Sequence, residues 1–345
     1  MVKSRKTRQK TDSRPTRRMV AQQAGVSDAT VTHALLNTPG KRISRETRER
    51  VRKIATELGY KPNFVGRALQ TGKTFTVGIL QPSYGSIFSV YYQTMIFGMV
   101  KAMQHDDYHL LVLFRSEEES FRKVIEQGRV DGMFILQSDR GVGYIEEVAK
   151  TGIPAVVVNS HYDKWDIAKL GCAHSDHYLL MKEVLAEFQS LGCKSVVQIH
   201  DHRLCDVNFH MFNAFQEAAE KLAEEGVVAS SLIPDNARFK QQMENAFAAG
   251  QKWDGVFIDG PWLAEGFVTA GKKHGLEPGR DYQLITSSTI DGETTPSRSE
   301  ISAYTHQPEQ VGAAAWDVMR ELIGGGTEQP LRLVPYKRYD GRAKD

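Results

Sequence analysis

The sequence predicts a small all-α head, joined by a short hinge helix to a two-lobed α/β body with parallel sheets. Three observations carry this. Positive charge is concentrated at one end: residues 1–75 hold 18 Lys and Arg against 5 Asp and Glu, a net of +13, while the remaining residues net −11. Up to about residue 61 the apolar residues recur only at short helical spacings. From Phe75 onward, strand-length apolar runs alternate with helix-length amphipathic stretches, which implies parallel sheets covered by helices on both faces.

Taken in order, residues 1–14 are rich in Lys, Arg, Thr, Ser and Gln with almost no apolar content, and a disordered basic arm is expected. Thr16 is placed to cap a helix over Arg17–Gln23, and Ala24-Gly25-Val26-Ser27 interrupts it. Gly25 can take the positive φ of a tight inter-helix turn, and Ser27 or Asp28 can cap a second helix over Ala29–Leu36. A third helix is expected from Ser44 to Gly59, with Val51, Ile54, Ala55 and Leu58 as its buried stripe. These elements form a head at 15–61. The segment Asn63–Leu69 and the linker after it occupy 62–74, and the body runs 75–345.

In the body, strands are expected at Phe75–Leu80, Tyr108–Phe114, Gly132–Leu136, Ala155–Val158, Ser195–His200, Val227–Ile233, Gly255–Ile258, Tyr282–Thr286 and Glu300–Thr305. A helix is expected at Gln310–Gly324. About 270 residues exceed one comfortable doubly wound domain, so two lobes are expected. Lobe 1 would take about 75–160 and 290–324, and lobe 2 about 161–289 and 325–345.

A basic head on an acidic body points to a polyanionic partner for the head alone. The turn at Ala24–Ser27, between two short amphipathic helices, is the spacing of a helix-turn-helix. The second helix is its groove reader, because its first turn exposes Ser27, Asp28, Ala29 and Thr30, followed by His33.

The wider motif string is more specific. Residues 20–32, Val-Ala-Gln-Gln-Ala-Gly-Val-Ser-Asp-Ala-Thr-Val-Thr, resemble the pattern V-A-x-x-A-G-V-S-x-x-T-V-S. Residues 43–51 resemble V-S-x-x-T-R-x-R-V, and residues 58–63 resemble L-G-Y-x-P-N. In this order and spacing they resemble the head of the lactose-repressor family, over residues 16–72 and more weakly to about residue 324. The resemblance implies a body like a type I periplasmic binding protein. It also implies a homodimeric repressor that binds a pseudo-palindromic double-stranded operator and is modulated by a small effector.

By position, the resemblance puts Asp28, Ala29 and His33 nearest the base edges, with Thr16, Ser27, Thr30 and Asn37 on phosphates or the groove edge. It makes Asn63–Leu69 the hinge helix, with Asn63 and Arg67 among its DNA contacts. Leu69 matches a leucine wedged between base pairs in the minor groove, where the cost of unstacking is offset by contacts on the bent duplex. The chain departs from the pattern at Thr32-His33, where the family usually shows Ser-Arg, and an extra Leu36 precedes Asn37. The operator is expected to differ accordingly, since a bidentate arginine–guanine contact is missing there.

Loops at the C-terminal ends of the body's strands are where a two-lobed α/β unit takes a small molecule. Here they carry Tyr84, Phe88, Gln137, Asn159, Asp201, Trp262 and Ser288, aromatic and short polar groups suited to a sugar-like or nucleoside-like effector. The residues that grip sugars in the resembled family are mostly replaced: Asp259-Gly260-Pro261-Trp262 stands for its Asn-Asp, and His210-Met211 for its arginine.

Other classes find less support. His200-Asp201-His202 with Cys205 has metal-ligand chemistry, but no matching second pair exists, and no metal or cofactor is expected. Gly141-Val142-Gly143 stops short of a dinucleotide fingerprint, with Glu146 in the last place, and no phosphate loop or nucleophile elbow occurs, so no enzyme is expected. A transport receptor would share the body but not the basic head. No apolar run of membrane-spanning length and no secretory signal is present, and three cysteines cannot form a disulfide framework; a cytoplasmic protein is expected.

Overall fold

The structure is a computed structural model that describes residues 15–36, 43–61, 64–81, 89–114, 120–136, 143–160, 167–200, 206–224, 226–233, 235, 237–288 and 302–339. It divides into two compact units, Met1–Lys73 and Thr74–Asp345.

In the first unit, helix α1 (Arg17–Ala24) starts at Thr16, whose side chain accepts the Met19 amide, and stops at Gly25 with φ 64°. Helix α2 (Asp28–Leu36) follows at once, its first turn capped by Ser27 Oγ, which accepts the Thr30 amide at 3.1 Å. Helix α3 (Arg45–Glu57) is capped by Ser44, which accepts the Thr47 amide. The three pack around Val20, Ala21, Ala24, Val31, Ala34, Val51 and Ala55. Side chains this small let the helices approach closely, at the cost of a modest buried area. Helix α4 (Phe64–Thr71) then completes the unit.

The second unit contains two six-stranded sheets wound in the same order. In chain order its elements begin β1 (Thr76–Gln81), α5 (Val90–Met103), β2 (His109–Phe114), α6 (Ser120–Glu126), β3 (Gly132–Leu136), α7 (Gly143–Lys150), β4 (Ala155–Val158) and β5 (Leu170–Ser175). Next come α8 (His177–Ser190), β6 (Ser195–Ile199), α9 (Asp206–Ala223), β7 (Val228–Leu232), α10 (Phe239–Ala248), β8 (Gly255–Asp259), α11 (Pro261–Lys273) and β9 (Gln283–Ser288). Last are β10 (Ser302–Thr305), α12 (Pro308–Ile323), β11 (Leu331–Val334) and β12 (Lys337–Tyr339).

Lobe 1 is built on the all-parallel order β11-β5-β4-β3-β1-β2, and lobe 2 on β12-β10-β9-β8-β6-β7, in which only the β10–β12 pair is antiparallel. Helix-covered central strands such as β3 and β4 are buried along their whole length, as parallel sheets require.

The expected lobe boundaries need correcting. Leu170–Ser175, placed by sequence in lobe 2, adds to lobe 1 because it pairs in parallel with β4. Ser302–Thr305, placed in lobe 1, pairs with β9 of lobe 2. The tail is divided as well, β11 joining lobe 1 and β12 joining lobe 2. The chain therefore crosses between lobes three times, at β5–α8, β10–α12 and β11–β12.

Lobe 1 is held by an intimate helix pair. Helix α12 lies against α5 so closely that a Cβ on Gly98 would collide with the Glu309 carbonyl, and one on Gly312 with the Met95 carbonyl. Lys101 donates to Glu309 across the same pair at 2.7 Å. Where the chain enters the body, Asp131 accepts from the Thr74 and Phe75 amides and the Thr74 hydroxyl, at 2.7–2.9 Å. Gly312→Ala is expected to lower the unfolding free energy of the body by about 1–3 kcal/mol through overpacking, read as a reduced urea midpoint with unchanged slope. An unaltered midpoint would contradict the backbone contact.

Candidate functional site

The head presents α2 as an outward helix fixed from behind. Val31 and Ala34 enter the core, which turns Ala29 outward and leaves Asp28, Thr32 and His33 only partly covered. The preceding turn is locked by the Val26 amide, which donates back to the Ala21 carbonyl at 3.0 Å across Gly25. Ser27 and Thr30 are committed to each other, their hydroxyls 2.9 Å apart. Thr16, Ser27 and Ala29 are exposed, and Thr30 is half-buried.

Arg17 was not among the expected site residues, yet it lies across this surface. Its Nε donates to Asp28 Oδ2 and its Nη1 to Thr32 Oγ1, both at 3.3 Å. Tyr60 sits in the same field: burial raises its phenol pKa, with Arg17 opposing the rise and Asp28 adding to it. Arg17 is thus a guanidinium held over α2 by a pair exposed enough to exchange for another anion at little cost. The signal for it was its place directly after the Thr16 cap.

In α4, Leu69 is 82 % exposed, an apolar side chain on an eight-residue helix. Arg67 is half-buried, and Gly66 has open space where a side chain would stand. Asn37 and Asn63 lie outside the described residues.

In the body, Tyr84, Phe88, Gln137 and Asp201 lie outside the described residues, and Ser288 ends β9. Trp262, 45 % exposed, stands in the first turn of α11. Asn159 differs from a simple wall residue. It is buried in the left-handed region at φ 62°, and its Oδ1 accepts the Tyr91 hydroxyl at 2.5 Å. Beside it lies a group the sequence did not single out: Ser175, His174, His177, His306 and Tyr336, drawn from the three lobe crossings. Ser287 hydrogen-bonds Asp259 at the end of β8. Among the described residues no group of three or more His, Cys, Asp and Glu could hold a metal ion, and His202 and Cys205 fall outside them.

Residues 18–63 match the family described as "Bacterial regulatory proteins, lacI family". The match covers the head and the start of the segment after it, and so marks a DNA-binding head of the lacI type. The chain is 27% identical over 335 residues to catabolite control protein A of Staphylococcus aureus, covering 94% of this chain and 98% of that protein. It is 25% identical over 329 residues to the transcriptional repressor PurR of Erwinia tasmaniensis, covering 92% and 93%. Among solved structures it resembles the lac repressor dimer bound to operator and the anti-inducer ONPF, with TM-score 0.68, 16% identity and coverage of 95% and 99%. The regulator CelR in complex with cellobiose gives a TM-score of 0.60 at 18% identity, covering 94% and 98%.

The exposed α2 face and Leu69 belong to the head, and the crossing cluster belongs to the two-lobed body. Burial pushes the His306 imidazole down to about 4, from an ordinary value of 6.5. The unfolded chain then holds one more proton than the folded one between those values. The stabilising contribution is complete above pH 6.5 and is lost as pH falls towards 4, at a slope of up to about 1.4 kcal/mol per pH unit. Urea unfolding of the body between pH 4 and 7 should show this slope, and His306→Asn should flatten it; an equal slope in both proteins would contradict the assignment.

Proposed function

We propose that this regulator is a homodimeric repressor that reads a pseudo-palindromic DNA operator in the cytoplasm and is modulated by a small sugar-like or nucleoside-like effector. The single observation that carries the reading is the turn at Gly25, which sets an outward α2 on a head of net charge +13. A helix held this way fits the major groove, and one head reaches only one half-site, hence the dimer.

In this reading Asp28, Ala29 and His33 meet base edges. Thr16, Ser27, Thr30 and Asn37 meet phosphates or the groove edge, and Arg17 joins them once DNA competes with Asp28. A histidine in place of a bidentate arginine shifts the preferred base away from guanine at that step. Asn63, Arg67 and Leu69 work in the minor groove, where an exposed leucine gains burial only by entering the stack. The effector lies in the body's cleft, at the strand ends that carry Tyr84, Phe88, Gln137, Asn159, Asp201, Trp262 and Ser288. The relative PurR is by name a transcriptional repressor, which favours a binding protein over an enzyme.

Leu69→Ala should weaken binding to a selected operator by roughly tenfold or more, while changing affinity for unrelated duplex DNA by less than about twofold, because only the bent complex uses the wedge. Gel-shift titrations on both DNAs measure this. Equal losses on the two would refute the hinge assignment.

A further inference from the structure

The three crossings between lobes lie side by side, and side chains from all of them meet in one cluster. Ser175 and His177 come from the first crossing, His306 from the second and Tyr336 from the third. Ser175 Oγ and His306 Nδ1 share a hydrogen bond at 3.3 Å, joining the first crossing to the second. His177 Nδ1 and the Tyr336 hydroxyl share another at 2.9 Å, joining the first to the third. The His306 and Tyr336 rings, with centroids 4.5 Å apart, join the second to the third. Each crossing is therefore tied to both others.

Lobe 1 closes the cluster from one side. The Tyr91 ring meets His306 edge-on at 5.4 Å, while its hydroxyl is held by Asn159. His174 stacks on His177 with ring centroids 5.8 Å apart. Bonds to backbone carbonyls follow the same lines: the Asp176 amide donates to the Val334 carbonyl at 2.8 Å, and the Thr305 side-chain hydroxyl to the Lys337 carbonyl at 3.2 Å.

Connections that had only to bend would not need this chemistry. Asn159, His174, Ser175, His177 and Tyr336 are all buried, and buried polar groups are tolerated when their partners are kept. Turning one lobe on the other changes the spacing of the crossings and so strains these bonds. Each buried bond left unmade shifts an equilibrium by roughly tenfold.

We propose that the Ser175–His306 and His177–Tyr336 pairs form a latch between the lobe crossings, which sets how readily the lobes turn and so how strongly a filled cleft alters the body. The four side chains are positioning residues that act through lobe geometry. The inference rests on the reading of the body as the ligand-responsive part of a regulator, but its test requires neither DNA nor effector.

The test is hydrogen–deuterium exchange on the intact full-length chain. Tyr336→Phe removes one hydroxyl and keeps the ring, and Ser175→Ala removes one oxygen from the other pair, so either variant serves if the other fails to fold. Each should speed exchange about tenfold at the amides of 176–178, 306–307 and 336–338, leaving those of β3 and β8 as in the wild type. His177→Asn, which keeps a hydrogen-bonding group at the δ position, should stay near wild type, whereas His177→Leu should resemble Tyr336→Phe. Wild-type exchange at the crossings in both oxygen-deletion variants would overturn the latch. So would an acceleration spread evenly over β3 and β8, which marks a general loss of stability. Failure of the regulator reading would appear separately, as a wild-type chain that selects no operator.

Discussion

At Gly25 the backbone passes through the left-handed region, a conformation that costs an ordinary L-residue about 1–2 kcal/mol. Glycine makes it accessible, and the consequences run through the whole head. The chain reverses within three residues, α2 begins on the Ser27 cap, and Val31 and Ala34 drop onto Val20 and Val51. With those two positions fixed inside, the opposite face of α2 has to point outward. Arg17 then reaches over it from the start of α1 and holds Asp28 and Thr32 in place. The head core is small, fully buried alanines and valines ringed by half-buried Leu35, Ile54 and Leu58, so the caps at Thr16, Ser27 and Ser44 matter more here than they would in a larger domain.

The body answers a different demand. Two sheets of one strand order, joined by three crossings, make up the two lobes. Their switch points fall between β1 and β3 in one lobe and between β6 and β8 in the other, where a doubly wound sheet opens a crevice for ligand. Turning is opposed by the cluster of imidazoles and phenols at the crossings, where burial keeps His306 neutral near pH 7. Buried Tyr91 and Tyr336 are held well above the usual phenol range, so they stay protonated and serve as hydrogen-bond donors. Asp259 and Asp176 lie close enough to add to the rise at Tyr336, which reinforces its neutral form.

How much of this the sequence revealed depended on whether the signal was local. Caps and helical spacing located α1 to α3 within a residue or two, and β3 and β4 were found with their ends correct because fully buried strands read as unbroken apolar runs. Strand β5 was missed because Leu170-Gly171-Cys172-Ala173-His174-Ser175 carries polar residues into a fully buried position, which neither alternation nor an apolar run describes. Strands β11 and β12 are four and three residues long and mostly exposed, too short for any period to show. The lobe assignment failed with them. The Ser175–His306–Tyr336 cluster could not be seen for the same reason, since its members are more than a hundred residues apart or lie next to the missed strands. At the head, the expected contacts lie on α2 and its flanks, while Arg17 escaped notice because its reach onto α2 is tertiary.

The central claim, that a basic head grips DNA while an acidic body does not, is tested most directly by the salt dependence of binding. Affinity for a DNA fragment selected from a random library should be measured from low to physiological salt, for the intact chain and for a chain lacking residues 1–72. The intact chain should lose affinity steeply, with a log–log slope of about −0.9 for each phosphate neutralised, and the shortened chain should not bind. A flat response, or binding that survives removal of the head, would contradict the account.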